Sequence, residues 1–283
     1  MDTIDLPHGT VAYRSAGPPD SDAPPVVFLH AFLIDGSVWS PVAELLADRG
    51  VRSYAPDLPL GAHHHPLNGD ADQSPRGVAR QILAFLEALD LDDVTLVGSD
   101  TGGALAQFLV DTDARRIGRL VLTNCDAFGT FPPFPFNLIF RLLGGTGRMK
   151  FNLLPMRLRA FRHSPLGFGL LANEFDPAQT RSWVEAAITN RGARADAVRF
   201  LRRAEPKDLL EVSTRLDSYE GPVHIVWGMA DRAFKPSLGR RLQQAFRNAE
   251  FVEVPNAKTF VQLDAPDVLA DQIGGVSARG PFG

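Results

Sequence analysis

Cysteine is almost absent from this chain: Cys125 is the only one among 283 residues. A disulfide framework within the chain is therefore excluded, as is a metal site built from several thiolates. No charge of one sign dominates either. With 29 Lys and Arg against 33 Asp and Glu the formal net charge is −4, too weak a field to draw in nucleic acid. No apolar run reaches about eighteen residues, so no membrane-spanning helix is expected. The opening stretch Met1 to His8 lacks the basic and apolar regions of a signal peptide, and a cytoplasmic protein is expected. Tyrosine is scarce as well, occurring only at Tyr13, Tyr54 and Tyr219.

What is present is apolar bulk. At 45% hydrophobic residues a chain of this length can bury a sizeable core unaided. Thr10 to Ser15 reads as a short early strand, and Val26 to His30 as a strand buried on both faces. Val38, Val42, Leu45 and Leu46 recur at helical spacing, and Gly50 stops that helix. Val51 to Ala55 reads as the next strand. Ser74-Pro75 is an N-cap followed by proline at the first helical position, and it opens a helix carrying Val78, Ile82, Phe85, Leu86 and Leu89 on one stripe. Val94 to Val97 is strand, Ala104 to Val110 helix, and Leu120 to Thr123 strand. Alternation of this kind implies an α/β fold with a mostly parallel central sheet flanked by helices.

The rhythm stops at Asp126. Up to about Leu210 only helical segments broken by glycine and proline appear. Strands resume at Val223 to Trp227 and Phe251 to Val254, and a helix near Pro266 to Ile273 follows. The expected organisation is a core domain of residues 1–126 and 211–283, with an inserted helical lid over 127–210.

The stretch Leu96-Val97-Gly98-Ser99-Asp100-Thr101-Gly102-Gly103-Ala104 carries the chemistry. A strand ends, small residues bracket a polar one, and a helix begins, the context of a nucleophile elbow. Counting from Gly98 and Gly102 places Asp100 at the apex rather than Ser99. The helix N-terminus favours negative charge there, so Asp100 is expected to stay ionised. The alternative is an ordinary aspartate N-cap.

With these residues the chain resembles the α/β-hydrolase superfamily over essentially its whole length. The aspartate elbow is similar to that of haloalkane dehalogenases and epoxide hydrolases, and closer still to a group of hydrolase-like proteins with a G-N-D-T-G-G elbow. The resemblance implies that the carboxylate attacks carbon and that histidine-activated water then hydrolyses the alkyl ester. His30-Ala31-Phe32 matches an H-G-X segment, which assigns the oxyanion N–H groups to Phe32 and Thr101. Asp57-Leu58-Pro59-Leu60-Gly61 resembles the D-L-P-G-x-G loop. Trp227 to Asp231 resembles the W-G-x-x-D segment that delivers the triad acid, here Asp231, while Asp126 lies where some members supply that acid instead.

One position departs from the family. In Asn256 to Pro266 the surrounding pattern aligns, but Thr259 stands where histidine is expected. A threonine hydroxyl is no general base near neutral pH. Candidate substitutes are His63, in a His63-His64-His65 run that reads first as a surface cluster, and Lys258, which reads first as a solvent-facing lysine. His30, His163 and His224 are weaker candidates, His224 being read as a core or sheet-face residue. The histidine run does not suggest a metal, since adjacent loop side chains rarely converge on one ion. No metal or cofactor is expected.

The lid is rich in phenylalanine: Phe128, Phe131, Phe134, Phe136, Phe140, Phe151, Phe161, Phe168 and Phe175. These rings are expected to pack the lid on the core, and they also suit an apolar tunnel. Arg141, Arg148, Lys150, Arg157, Arg159 and Arg162 accompany them, with no Asp or Glu between Phe128 and Asn173. A solvated face of snorkelling side chains is the first reading of these cations, an anion-attracting patch the second. No tyrosine lies in the lid to serve an epoxide hydrolase. Thr101 replaces the tryptophan that holds halide in typical dehalogenases; Trp183 reads first as a buried residue of the lid and second as an accessory donor.

The expected function is thus a hydrolase-class enzyme acting on a small or medium hydrophobic molecule as monomer or homodimer, with Asp100 as nucleophile or base. Two rivals remain open: a lyase, isomerase or cyclase using Asp100 as acid–base, and a ligand-binding protein that has lost turnover.

Overall fold

The computed structural model describes residues 1–131 and 145–278. Phe134, Phe136, Phe140 and Arg141 lie outside the described residues. The apolar runs become strands: β1 (Asp2–Leu6), β2 (Gly9–Ala16), β3 (Val26–Leu29), β4 (Ser53–Pro56), β5 (Val94–Asp100), β6 (Ile117–Cys125), β7 (Val223–Gly228) and β8 (Ala249–Val254). They form one sheet in the order β1-β2-β4-β3-β5-β6-β7-β8. The pairings from β4 across to β8 are parallel, and β1 and β2 extend the sheet in antiparallel fashion. All of β3 and β7 is buried, which is why those segments read as unbroken apolar runs rather than as alternation. The expectation did not include β1: four of its five residues are exposed or half-buried, so an edge strand of this kind carries no apolar signal.

Helices cover both faces. A 3-10 turn at Gly36–Trp39 leads into α1 (Ser40–Asp48). In α2 (Pro75–Ala88), Ser74 caps the helix by accepting from the N–H of Gly77 at 3.0 Å, as the Ser-Pro signal predicts. The stripe Val78, Ile82, Phe85 and Leu86 is buried. Next comes α3 (Thr101–Thr112), which follows β5 with no intervening loop.

Between β6 and β7 lie the inserted helices α4 (Thr146–Leu153), α5 (Arg159–Arg162), α6 (Pro177–Thr189), α7 (Arg191–Arg203) and α8 (Pro206–Ser213). The last of these runs through the expected boundary at 210/211. After β7 come α9 (Pro236–Ala245), α10 (Val261–Asp264) and α11 (Pro266–Ala278). Among the described residues no helix is long and apolar enough to cross a membrane.

The insertion is tied to the sheet domain by buried polar groups. Asp196 of α7 is fully buried and takes bonds from His63 Nε2 (3.0 Å), the N–H of Leu67 (2.9 Å), Gln73 Nε2 (2.8 Å) and Arg199. Burial alone would raise its pKa, but these bonds, His63 first, hold it below the ordinary value. Lys258 is a strut rather than a solvent-facing residue: its ammonium donates to the carbonyls of Gly169 (3.3 Å) and Ala172 (3.1 Å).

The aromatic reading holds for part of the insertion. Phe128, Phe131 and Phe168 are buried, and Phe161 and Phe175 pack half-buried against the core. Phe151 does not; it is 72% exposed. The solvated-face reading of the cations fails at Arg162, which is buried. Its guanidinium bonds the carbonyls of Met156, Arg157 and Pro177 and the Thr180 hydroxyl.

The junction of β5 and α3 is the tightest backbone approach in the molecule's centre. A Cβ on Gly102 would lie 2.1 Å from the carbonyl oxygen of Leu29 in β3, and one on Gly98 would lie 2.7 Å from that of Gly102. Backbone cannot yield as a side-chain tip can. Gly102→Ala is therefore expected to destabilise the fold by roughly 1–3 kcal/mol or more, read as a lower urea midpoint at unchanged slope; an unaltered midpoint would mean that the junction has slack.

Candidate active site

Asp100 ends β5 and caps α3, with φ 55° and ψ −126°. A positive φ at a non-glycine residue stores on the order of 1–3 kcal/mol of strain, and such strain gathers at functional positions. The source of the strain is the glycine-lined approach just described, which turns the chain sharply and lifts the aspartate off the end of the strand. The carboxylate is held on one side only. Oδ1 accepts from the backbone N–H of Thr101 at 2.6 Å and from its hydroxyl at 2.9 Å, and among the described residues both bonds fall on that oxygen. Asp100 keeps partial exposure while its carboxyl is desolvated. Burial raises its pKa, and the two Thr101 bonds oppose the rise.

Thr101, one of the two residues whose N–H groups the family resemblance assigns to an oxyanion hole, directs that N–H at Oδ1 of the Asp100 carboxylate in this structure. Phe32 lies in the turn after β3, beside the end of the strand that Gly102 touches. Its ring packs near that of Phe200 from α7, 6.3 Å between centroids, and Phe131 lies 6.4 Å from both Phe200 and Phe108. These rings make an aromatic wall that joins the sheet domain to the insertion.

Asp231 and Thr259 meet as their places in the chain predict. The Thr259 hydroxyl donates to Asp231 Oδ2 at 2.8 Å. The same oxygen accepts from Asn124 Nδ2 at 2.9 Å, and Oδ1 accepts from the N–H groups of Ala233 (2.7 Å) and Phe234 (3.1 Å). Burial pushes Asp231 up to about 6, outweighing the four donors. Asn124 was not foreseen. Its amide also bridges to the backbone of Gly228 (2.6 and 3.0 Å), fixing the turn after β7, and a lone asparagine at a strand end carries no sequence signal for that task.

Asp126 is buried, its backbone N–H lies 3.4 Å from the Asp100 carbonyl, and its Oδ1 makes no hydrogen bond among the described residues. Burial, then the charge of Asp100, puts its pKa well above the ordinary carboxylate value.

The histidine candidates are committed elsewhere. His63 is buried rather than part of a surface cluster, with Nε2 on Asp196 and Nδ1 accepting from Gly61 N–H at 3.3 Å. His30 is buried and bridges two loops, Nδ1 donating to Ala31 O at 2.9 Å and Nε2 accepting from Leu58 N–H at 2.7 Å. Desolvation lowers its pKa, so it is neutral and structural. His64 pairs with Asp57 at 3.0 Å, and His163 with the Thr180 hydroxyl at 2.9 Å. His224 is buried in β7, as expected, with Glu250 3.8 Å away. Trp183 is fully buried, and its indole N–H donates to Asp35 (3.1 Å) and Ser37 (3.0 Å), not toward a halide. Among the described residues no group of three or more His, Cys, Asp or Glu could hold a metal ion.

Comparison with known proteins agrees with this fold. A family model described as alpha/beta hydrolase fold matches residues 24–266. The chain is 28% identical over 274 residues to haloalkane dehalogenase 2 of Mycobacterium tuberculosis, covering 95% of this chain and 92% of the relative. It is also 28% identical over 247 residues to a 2-hydroxy-6-oxononadienedioate/2-hydroxy-6-oxononatrienedioate hydrolase of Paraburkholderia xenovorans, covering 84% and 80% of the two chains. Among solved structures, the haloalkane dehalogenase from Bradyrhizobium elkani superposes with a TM-score of 0.77 at 18% identity, covering 98% of each chain.

The Asp231 shift has a sign that stability measurements can check. Its folded pKa, about 6, lies above the ordinary 3.8, so the folded state holds the extra proton. This contribution is complete below pH ~4 and is lost as pH rises through ~6, by on the order of 2–3 kcal/mol. Denaturant midpoints of the natural protein should show that fall relative to Asp231→Asn; parallel profiles for the two proteins would contradict it.

Proposed function

The chain belongs to the alpha/beta hydrolase fold family, and from that premise we propose that it is an enzyme in which Asp100 reacts covalently with a small or medium hydrophobic organic substrate. The observation that carries this reading is the one-sided anchoring of Asp100. With Oδ1 fixed by both Thr101 donors, Oδ2 is the oxygen left to attack a saturated carbon bearing a leaving group. The step balances as carboxylate plus R–X giving the Asp100 alkyl ester plus X⁻. The carbonyl of that ester is Asp100's own, so the Thr101 N–H on Oδ1 stands where negative charge develops when water adds to it. Phe32 is assigned the second N–H of that hole. The inserted helices act as a lid, and the wall of Phe32, Phe131 and Phe200 supports an apolar substrate.

The second step is the slow one. Hydrolysis of the ester needs a base beside water, and Thr259 fills that place with its hydroxyl turned to Asp231. Loss of a general base costs about 100- to 10,000-fold. Asp231, with both oxygens bonded, acts here as a structural anchor for the Thr259 loop.

A second reading is favoured by Asp126, whose unbonded buried oxygen lies at the end of the strand next to Asp100. In it Asp100 takes a proton from one substrate atom and the acid pair returns one to another, a lyase or isomerase reaction that needs no water and no histidine.

Intact-protein mass spectrometry after incubation with 1-bromohexane separates the two. The natural protein should gain one hexyl group, mapped to Asp100 and absent in Asp100→Ala. Thr259→His should shed it faster, by about 100-fold or more, releasing hexanol. If Asp100 stays unmodified by a panel of haloalkanes and epoxides, the covalent reading fails and the acid–base reading takes its place.

A further inference from the structure

Among the described residues, large apolar side chains exposed to solvent are few, and they cluster. Phe151 (72%), Leu154 (37%), Leu158 (69%) and Leu166 (67%) all belong to one short part of the insertion, with only Met1 and Leu210 elsewhere. The segment that carries them is well anchored. Met149, Leu153 and Met156 are buried on its inner side, and Arg162 ties the following turn to three carbonyls. Phe151 lies in α4, Leu154 opens the 3-10 turn Leu154–Arg157 that continues it, and Leu158 is the extended residue after that turn, so these exposed side chains are interspersed along the segment with the buried Met149, Leu153 and Met156. Their outward direction is thus imposed by the inner packing.

Cations flank this apolar ridge. Arg148 and Lys150 bracket the buried Met149 in α4, Arg157 ends the 3-10 turn and Arg159 follows Leu158; all four are exposed. Arg157 pairs with Glu185 at 2.9 Å. Among the described residues, Arg148, Lys150 and Arg159 take part in no ion pair, and the sequence places no acid between Phe128 and Asn173. A cationic, apolar-tipped face on a chain of net charge −4 is a local feature, not a reflection of overall composition.

We propose that this face docks on a bilayer surface containing anionic lipid. Three arguments select that occupant. The charge is complementary to anionic headgroups, which attract surface Lys and Arg. Protruding single side chains rimmed by cations insert into a fluid interface without needing a matching concavity, whereas a rigid protein partner would need one. A second copy of the chain would bring like charges together. The inference is independent of the chemistry at Asp100: it assigns where the protein works, not what it converts.

Flotation with vesicles tests it, using the full chain and no substrate. Vesicles of equimolar phosphatidylglycerol and phosphatidylcholine should carry the protein to the top fraction; phosphatidylcholine alone should not. Added salt should weaken the partitioning. Arg148→Gln with Lys150→Gln should lower it roughly fivefold for each cation removed. Phe151→Ser with Leu158→Ser should reduce it by at least as much, with an unchanged melting temperature, since all four side chains lie at the surface. The proposal is overturned by absence of binding to anionic vesicles, by equal binding to both compositions, or by retained binding in the variants. It is also overturned if the apolar variant instead abolishes a dimer measured by sedimentation, which would assign the face to self-association.

Discussion

The close approach of α3 to the ends of β3 and β5 is the constraint on which the site depends. Without a side chain at Gly98 and Gly102 the two backbones come within contact of each other and of Leu29, and the chain can only make that turn by taking Asp100 into positive φ. The same turn aims the first N–H of α3 at the aspartate that precedes it. Strain, burial and a one-sided hydrogen-bond anchor therefore have a single origin. A carboxylate presented this way has one oxygen fixed and, among the described residues, one without a hydrogen bond, and the proposed reactivity rests on that asymmetry more than on charge.

The second acid of the site is arranged in the opposite sense. Asp231 receives four hydrogen bonds, two on each oxygen, so little of it remains to act on substrate. Thr259 completes that closed arrangement. A hydroxyl that donates to a buried carboxylate satisfies both groups. The result is a pair of acids of which one keeps an oxygen without a hydrogen bond among the described residues and the other has both oxygens bonded. The two proposed readings differ accordingly: in one Asp100 forms an ester that is released slowly, and in the other Asp100 and Asp126 exchange protons with the substrate.

The insertion depends on the sheet domain for its placement and contributes to it in return. Asp196, His63 and Gln73 form a buried polar joint between α7 and the loop after β4, while Trp183 reaches Asp35 and Ser37 at the start of the 3-10 turn before α1. Removing one member of such a joint would strand a buried charge. The joint holds Phe200 against Phe32 on the inside, and it leaves the ridge of Phe151 and Leu158 outside. One rigid attachment thus sets both the aromatic wall of the site and the apolar outer face.

The fold and the elbow were legible in the sequence because they rest on local rules. Apolar runs mark strands buried on both faces, Ser74-Pro75 marks a helix start, and glycines at fixed offsets mark a sharp strand-to-helix turn. That Thr259 would meet Asp231 follows from the family resemblance, and the hydrogen bond between them is present. What the tertiary structure alone decided is which polar groups find each other. His63 and Asp196 lie 133 positions apart and Trp183 and Asp35 lie 148 apart, so a histidine that reads as surface proves to be a joint between layers, and only the fold shows what the Trp183 indole bonds. Lys258, Asn124 and Arg162 were settled the same way, and so was the outward direction of Phe151. Local pattern fixes which segments form helix and strand and which faces they bury. The partner of a buried donor depends on what the folded layers bring within 3 Å or so of it, and no spacing along the chain encodes that.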